Sequence, residues 1–212
     1  MNAVSYSWRY LRHRGLRATV RAVGRRYVYC SRDLVVLKSS RIDPSAVDGV
    51  GEIRFRLGGP ADVDGLREFD RSRGATPRPP SGNGQVWRFL ACHREKIVAT
   101  RWYSEDLPPY SLITRVLPPK RGQLWAGDVF CIPEYRSRGI VRRLGLFAQA
   151  YLALQGYTEF VSAISGQNIP SLRMHLHDST FICQITYRRL LFREDLRISH
   201  EPPRHLHDLA AS

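Results

Sequence analysis

The sequence predicts an α/β (α+β) fold, a mixed central sheet with helices on both faces, joined to a basic helical extension at the N-terminus. Three observations carry that expectation. From residue 52 onward, segments in which apolar and polar residues alternate, as Ile53, Phe55 and Leu57 do with Arg54 and Arg56, interchange with segments of helical period. The resulting order is β-α-β-β-β-α-β-α-β, which layers helices over a sheet with both parallel and antiparallel neighbours. With 212 residues, 43% of them hydrophobic, the chain can bury a core as one domain with an appendage.

Residues 1–50 are expected to form the extension and a linker. Arg9, Arg12, Arg14, Arg17, Arg21, Arg25 and Arg26 crowd a stretch whose sole acid up to residue 41 is Asp33. Trp8, Leu11, Leu16, Val20, Val23 and Tyr27 recur at helical steps with a break near Gly15, so a basic amphipathic helix is predicted. Its apolar face needs a cover: the protein's own core, an anionic membrane surface, or a partner such as a second copy in a homodimer. A strand-like run over Leu34 to Lys38 and a Ser-, Asp-, Pro- and Gly-rich linker follow.

Residues 51–195 read as the main domain. A half-buried strand at Ile53 to Leu57 leads into a helix with Pro60 in its first turn. After a loop over 76–84, "VWRFLACHREKIVATRWYS" reads as a hairpin turning at Arg94 to Lys96. The segment 105–122 carries two Pro-Pro pairs around an apolar stretch, a long loop suited to lining a substrate pocket. Then come the strand "LWAGDVFCIP", a helix striped by Ile140, Leu144, Phe147, Tyr151 and Leu154, the strand "TEFVSAIS", a helix opening at "NIPSLRMHLHD", and one or two strands in "FICQITYRRLLF". Residues 196–212 read as a polar, loose tail.

Charge narrows the partners. Thirty-three Lys and Arg against 19 Asp and Glu give a formal +14, which attracts phosphates, acidic proteins or anionic lipid. No stretch reaches the roughly 18 apolar residues of a membrane span, and the N-terminus lacks a signal-peptide core, so a cytoplasmic protein, peripheral at a membrane at most, is expected. Cys30, Cys92, Cys131 and Cys183 stand singly in the sequence, a pattern that predicts neither disulfide nor metal site.

The chemistry gathers at "PEYRSRGIVRRL", residues 133–144, where a strand passes into a helix. The first turn of a helix leaves backbone N–H groups unpaired at its positive end, and glycine lets the backbone approach an anion closely. Pro133 to Val141, with Arg136 and Gly139 matching and Val141 in place of a small residue, resembles the coenzyme signature of the GNAT superfamily of acyl-CoA-dependent N-acyltransferases. "NIPSLRMHLHDSTF" is similar to the family's later motif, with Asn168 and Ser171 matching and Ser179-Thr180-Phe181 replacing a Gly-Phe pair. The resemblance spans about residues 52–192 and implies acetyl-CoA or another acyl-CoA as co-substrate. It implies coenzyme contacts at Phe130, Cys131 and Ile132 on the strand, at Arg136, Arg138, Gly139, Ile140 and Val141 in the turn, and at Asn168 and Ser171.

Transfer to an amine needs a base, because an aliphatic amine with a pKa of about 10 attacks only when neutral. The family's strand carboxylate corresponds to Asp128, as base or ammonium anchor, and the position from which the family protonates the leaving thiolate holds His175. Tyr187 is the other side chain considered for that proton. The activity implied is N-acetylation of a small-molecule amine or amino sugar. Two alternatives stay open: long-chain transfer from acyl carrier protein or acyl-CoA at a membrane surface, served by the basic helix, and a non-catalytic module binding nucleic acid or membrane. Nucleic acid is the weaker partner, since the basic residues concentrate in one terminal helix and form no nucleic-acid motif.

Overall fold

A computed structural model describes residues 29–40, 49–72, 84–106, 113, 116–118, 120–190, 193–203, 205–206 and 209. The amphipathic helix expected before residue 29 lies outside them, as do the loop over 76–84 up to residue 83 and parts of the 105–122 loop. Among the described residues no helix is long and apolar enough to cross a membrane.

Nine strands form one sheet: β1 (Tyr29–Ser39), β2 (Gly49–Val50), β3 (Ile53–Leu57), β4 (Val86–His93), β5 (Lys96–Ser104), β6 (Gln123–Cys131), β7 (Glu159–Ser165), β8 (Thr180–Leu190) and β9 (Arg193–Ser199), in the order β2-β3-β4-β5-β6-β7-β1-β8-β9. Every neighbouring pair is antiparallel except β6 and β7. Among the described residues three α-helices accompany it, α1 (Val63–Ser72), α2 (Ile140–Ala153) and α3 (Ile169–Leu176), with a 3-10 turn at Pro60–Asp62 ahead of α1. The expected mixed sheet is therefore present.

Adjacent residues of β4 show how the helices flank it. Arg88 reaches Asp70 of α1 through two nitrogens, at 2.9 and 3.3 Å, while the ring of Phe89 meets Phe147 and Tyr151 of α2. Neighbours along a strand point to opposite faces, so α1 and α2 cover opposite sides of the sheet. Asp70 is 1% exposed and the guanidinium also lies 4.7 Å over the Trp102 ring, so this ion pair is a buried anchor for α1. Removing one partner of such a pair costs about 3–5 kcal/mol because the other charge is left stranded.

β1 departs from the expected arrangement. Composition groups residues 29–39 with the basic extension, yet β1 is an interior strand, paired with β7 on one edge and β8 on the other. Val35, Val36 and Leu37 are fully buried. Val36 packs with Trp125, Val161 and Cys183 on one face, and Val35 and Leu37 pack with Ile164, Leu172 and Leu206 on the other. A strand buried on both faces needs a continuous apolar run, which is what Leu34 to Leu37 supplies. The tail also differs from expectation: β9 runs to Ser199, and Leu206, 3% exposed, closes the cluster around Val35 and Leu37.

If β1 is core, Leu37→Ala should lower the unfolding free energy by about 2–5 kcal/mol in urea or guanidinium denaturation. Leu154→Ala, at a side chain 90% exposed, should change it by no more than about 0.5 kcal/mol.

Candidate active site

The site begins where two parallel strands part. β6 and β7 pair from Gln123↔Glu159 to Ala126↔Ser162 and no further, although β6 continues to Cys131 and β7 to Ser165. Beyond Ala126 the facing edges leave backbone N–H and C=O groups available to an extended ligand. β7 does not swing free, because β1 holds its other edge from Ser39↔Phe160 to Leu34↔Ser165.

On its other side β6 carries a bulge. Thr100↔Phe130 and Trp102↔Gly127 are successive pairs with β5, so β6 contains one residue more than its partner there. Asp128 lies within it at φ +42°, a left-handed conformation that a non-glycine residue adopts at a cost. The residue expected as base is thus exposed, on a strained bend beside Val129, which lines the groove described next.

The turn after β6 is built to leave amides unpaired. Ile132 N–H bonds Val98 C=O at 3.0 Å, a 3-10 turn follows at Pro133–Tyr135, and Ser137 and Gly139 are both left-handed, at φ +59° and +70°. The first backbone bond of α2 runs from Arg143 N–H to Gly139 C=O, so the amides of Ser137 through Arg142 find no backbone acceptor among the described residues. They stand at the positive end of a 14-residue helix with no acid in its first turn. A Cβ added to Gly139 would touch nothing within 4 Å, which leaves the approach to these amides open.

These elements frame a groove of about 780 Å³. Of the residues expected at a coenzyme site, Phe130, Cys131, Arg136, Gly139, Ile140, Val141, Asn168 and Ser171 line it. Val141 also packs partly on the core. Ile132 and Arg138 do not line the groove: Ile132 is buried beneath the turn, and Arg138 lies in the adjoining hollow, 5.2 Å from the Tyr135 ring. Asn168 caps α3 by accepting from Ser171 N–H at 3.4 Å. Burial pushes the Cys131 thiol pKa up, so it stays protonated and carries no nucleophilic thiolate.

The arginines are mostly committed to protein partners. Arg136 Nε donates to Cys131 C=O at 3.0 Å and its guanidinium lies 5.6 Å over Phe130, which fastens the turn to the end of β6. Arg142 grips Asp178 through two nitrogens at 2.8 and 3.1 Å and ties α2 to the end of α3. A hydrogen-bonded chain that sequence alone does not signal braces the turn from the far side. His93 Nδ1 is hydrogen-bonded to the Tyr135 hydroxyl at 2.6 Å, and His93 Nε2–H donates to Glu52 at 2.6 Å. Its members come from three distant segments, so no local spacing announces it.

His175 is a correction. Expected to face a leaving thiolate, it is 8% exposed beneath α3 and absent from the groove lining. Its Nδ1–H donates to Ser171 C=O at 2.8 Å, which leaves Nε2 as acceptor of an Arg101 N–H at 3.2 Å. Burial first, and the Arg101 charge second, push its pKa down to about 4. At neutral pH the ring is neutral and has no proton to deliver. Tyr187 is also away from the groove: its hydroxyl donates to Glu194 at 2.9 Å across β8 and β9.

No protein-family model and no curated protein sequence matches the chain. Solved structures do. It is similar to a protein from Novosphingobium aromaticivorans DSM 12444 assigned to the GNAT family of acetyltransferases, at 14% identity and TM-score 0.50, covering 82% of this chain and 66% of that one. It is also similar to a GCN5-related N-acetyltransferase from Sphaerobacter thermophilus, at 17% identity and TM-score 0.54, covering 82% and 57%. The chain thus spans two thirds or less of the length of these two proteins and shares their fold, the GNAT fold.

The His175 environment makes stability depend on pH. The unfolded chain takes up this proton near 6.5 and the folded chain resists it until about 4, so the contribution is intact above 6.5 and is lost as pH falls between those values. The loss totals on the order of 3 kcal/mol. Denaturant melts across that range should show the wild type losing stability faster than His175→Gln; parallel curves would refute the assignment.

Proposed function

We propose that the chain is an N-acyltransferase that moves an acyl group, acetyl foremost, from acyl-CoA to the primary amine of a small molecule or amino sugar. The observation that carries this reading is the convergence of three backbone features on one groove: the unpaired amides of Ser137 through Arg142, the edge of β6 that β7 leaves open, and the bulge that sets Asp128 beside Val129 of the groove wall. Within the GNAT fold, that combination suits a ligand with an anionic head, an extended amide chain and a reactive end.

In this reading the pyrophosphate of coenzyme A accepts from the turn amides, as an anion does at any helix N-terminus. The pantetheine arm follows the β6 edge, and a strand amide near Phe130 or Cys131 polarises the thioester carbonyl. The neutral amine attacks that carbon, a C–N bond forms and the C–S bond breaks. The ammonium proton passes to Asp128 directly or through water, and the thiolate takes its proton from solvent, since neither His175 nor Tyr187 faces the groove. Holding amine and thioester together supplies a large part of the acceleration.

Isothermal titration with acetyl-CoA and a longer acyl-CoA, followed by an amine screen that detects free thiol, tests this. Gly139→Ala should weaken acyl-CoA binding at least about tenfold, because alanine resists the left-handed φ and its methyl enters the open approach. Asp128→Asn should lower kcat by about 100-fold or more while leaving acyl-CoA affinity within a factor of about two. Failure of the unmodified protein to bind either acyl-CoA would overturn the proposal.

A further inference from the structure

Behind the groove, between α2, α3 and the sheet, lies a small polar cavity of about 30 Å³. It is separate from the groove but shares Arg142 and Met174 in its wall. Ser39 of β1, Arg101 of β5, Ser162 of β7 and Gln149 of α2 face it, and all four are buried, Arg101 to 4% exposure. Room for the guanidinium is made by Gly145, where a Cβ would lie 2.7 Å from Arg101 Nη1.

The charge in this wall is not balanced. Arg101 belongs to none of the ion pairs found among the described residues. Its Nε–H has no acceptor, and neither does the hydroxyl of Ser39 have a partner. Among the described residues the hydrogen-bond acceptor Arg101 meets, His175 Nε2, is neutral, and the guanidinium otherwise lies 5.4 Å from the centre of the Tyr103 ring. The carboxylate in the wall, Asp178, is engaged through both oxygens by Arg142. An arginine cannot shed its proton as a buried lysine or histidine can, so neutralisation has to come from a bound anion. A buried, uncompensated charge is otherwise costly.

We infer that the cavity is a binding site for a small inorganic monovalent anion of the size of chloride, drawn there by the buried charge of Arg101. One water needs roughly 10–15 Å³ of such space, so about 30 Å³ has room for a single halide. The anion joins β1, β5 and the α2–α3 pair at one point. Its role is structural and does not depend on the acyl transfer proposed above.

The test compares sodium chloride and sodium bromide with sodium gluconate, too large for the cavity, at constant ionic strength so that the basic surface is equally screened. Melting temperature should rise saturably with chloride, by about 4 °C at ten times the dissociation constant. Arg101→Met should be insensitive to chloride and no less stable than wild type in gluconate, because a stranded charge has been removed. Should that variant fail to fold, Arg101→Gln serves in its place, with the chloride response lost because the charge that draws the anion is gone. Anomalous diffraction from crystals grown in bromide should place a peak beside Arg101. Equal melting in chloride and gluconate, a chloride response unchanged in both variants, or ordered water without a bromide peak in the cavity would each overturn the inference.

Discussion

The parting of β6 and β7 is the constraint on which the rest of this structure depends. Parallel strands that stop pairing at Ala126 and Ser162 leave two edges open inside a sheet, a condition that ordinarily invites collapse or aggregation. Here it is held from both sides. β1 secures the far edge of β7, and the bulge at Asp128 bends the far half of β6 while β5 still pairs Phe130 and Cys131. The unpaired amides of the turn come into the same space because β6 delivers the chain there just before α2 begins. An opening between two strands thus becomes a groove with a floor of backbone polar groups.

Backbone strain collects at that point. Asp128, Ser137 and Gly139 all have left-handed φ within twelve residues of chain, while Ile132 and Ile140 on either side of the turn are buried at 7% and 2% exposure. Each strained non-glycine residue costs on the order of 1–3 kcal/mol and persists only where its surroundings over-determine it. The surroundings are visible: Arg136 fastened to Cys131 C=O, Tyr135 held through His93 to Glu52, and Arg142 clasping Asp178. Much of the basic character near the groove is therefore spent on holding the backbone in place. The attraction for an anion comes from amides that these side chains position.

Buried charge is managed differently at two places in the same sheet. Arg88 faces α1 and is matched by a buried carboxylate, Asp70, at bidentate distance. Arg101 faces α2, where it donates to a neutral imidazole while its Nε–H has no acceptor, in the wall of the small cavity. The first arrangement closes locally. The second does not, and the Arg101 charge adds to burial, the larger cause, in depressing the basicity of His175.

The amino-acid sequence settled the order of strands and helices from residue 52 onward, because alternation and helical period are local properties written in Ile53 to Leu57 and along Ile140 to Leu154. It also determined that residues 133–144 form an anion-ready turn, since Gly139 between a strand and a helix has few other uses. Only the tertiary structure decided where β1 goes. Leu34 to Leu37 reads as a strand anywhere, and its place between β7 and β8 depends on pairing partners more than a hundred residues away. The same limit applies to His175, which the resemblance to the GNAT motif set beside the thiol but whose ring is drawn inward by Ser171 C=O and Arg101. Spacing along a chain fixes the face of a helix a side chain occupies. Which partner that face meets is set by long-range packing, and packing placed Arg101 there.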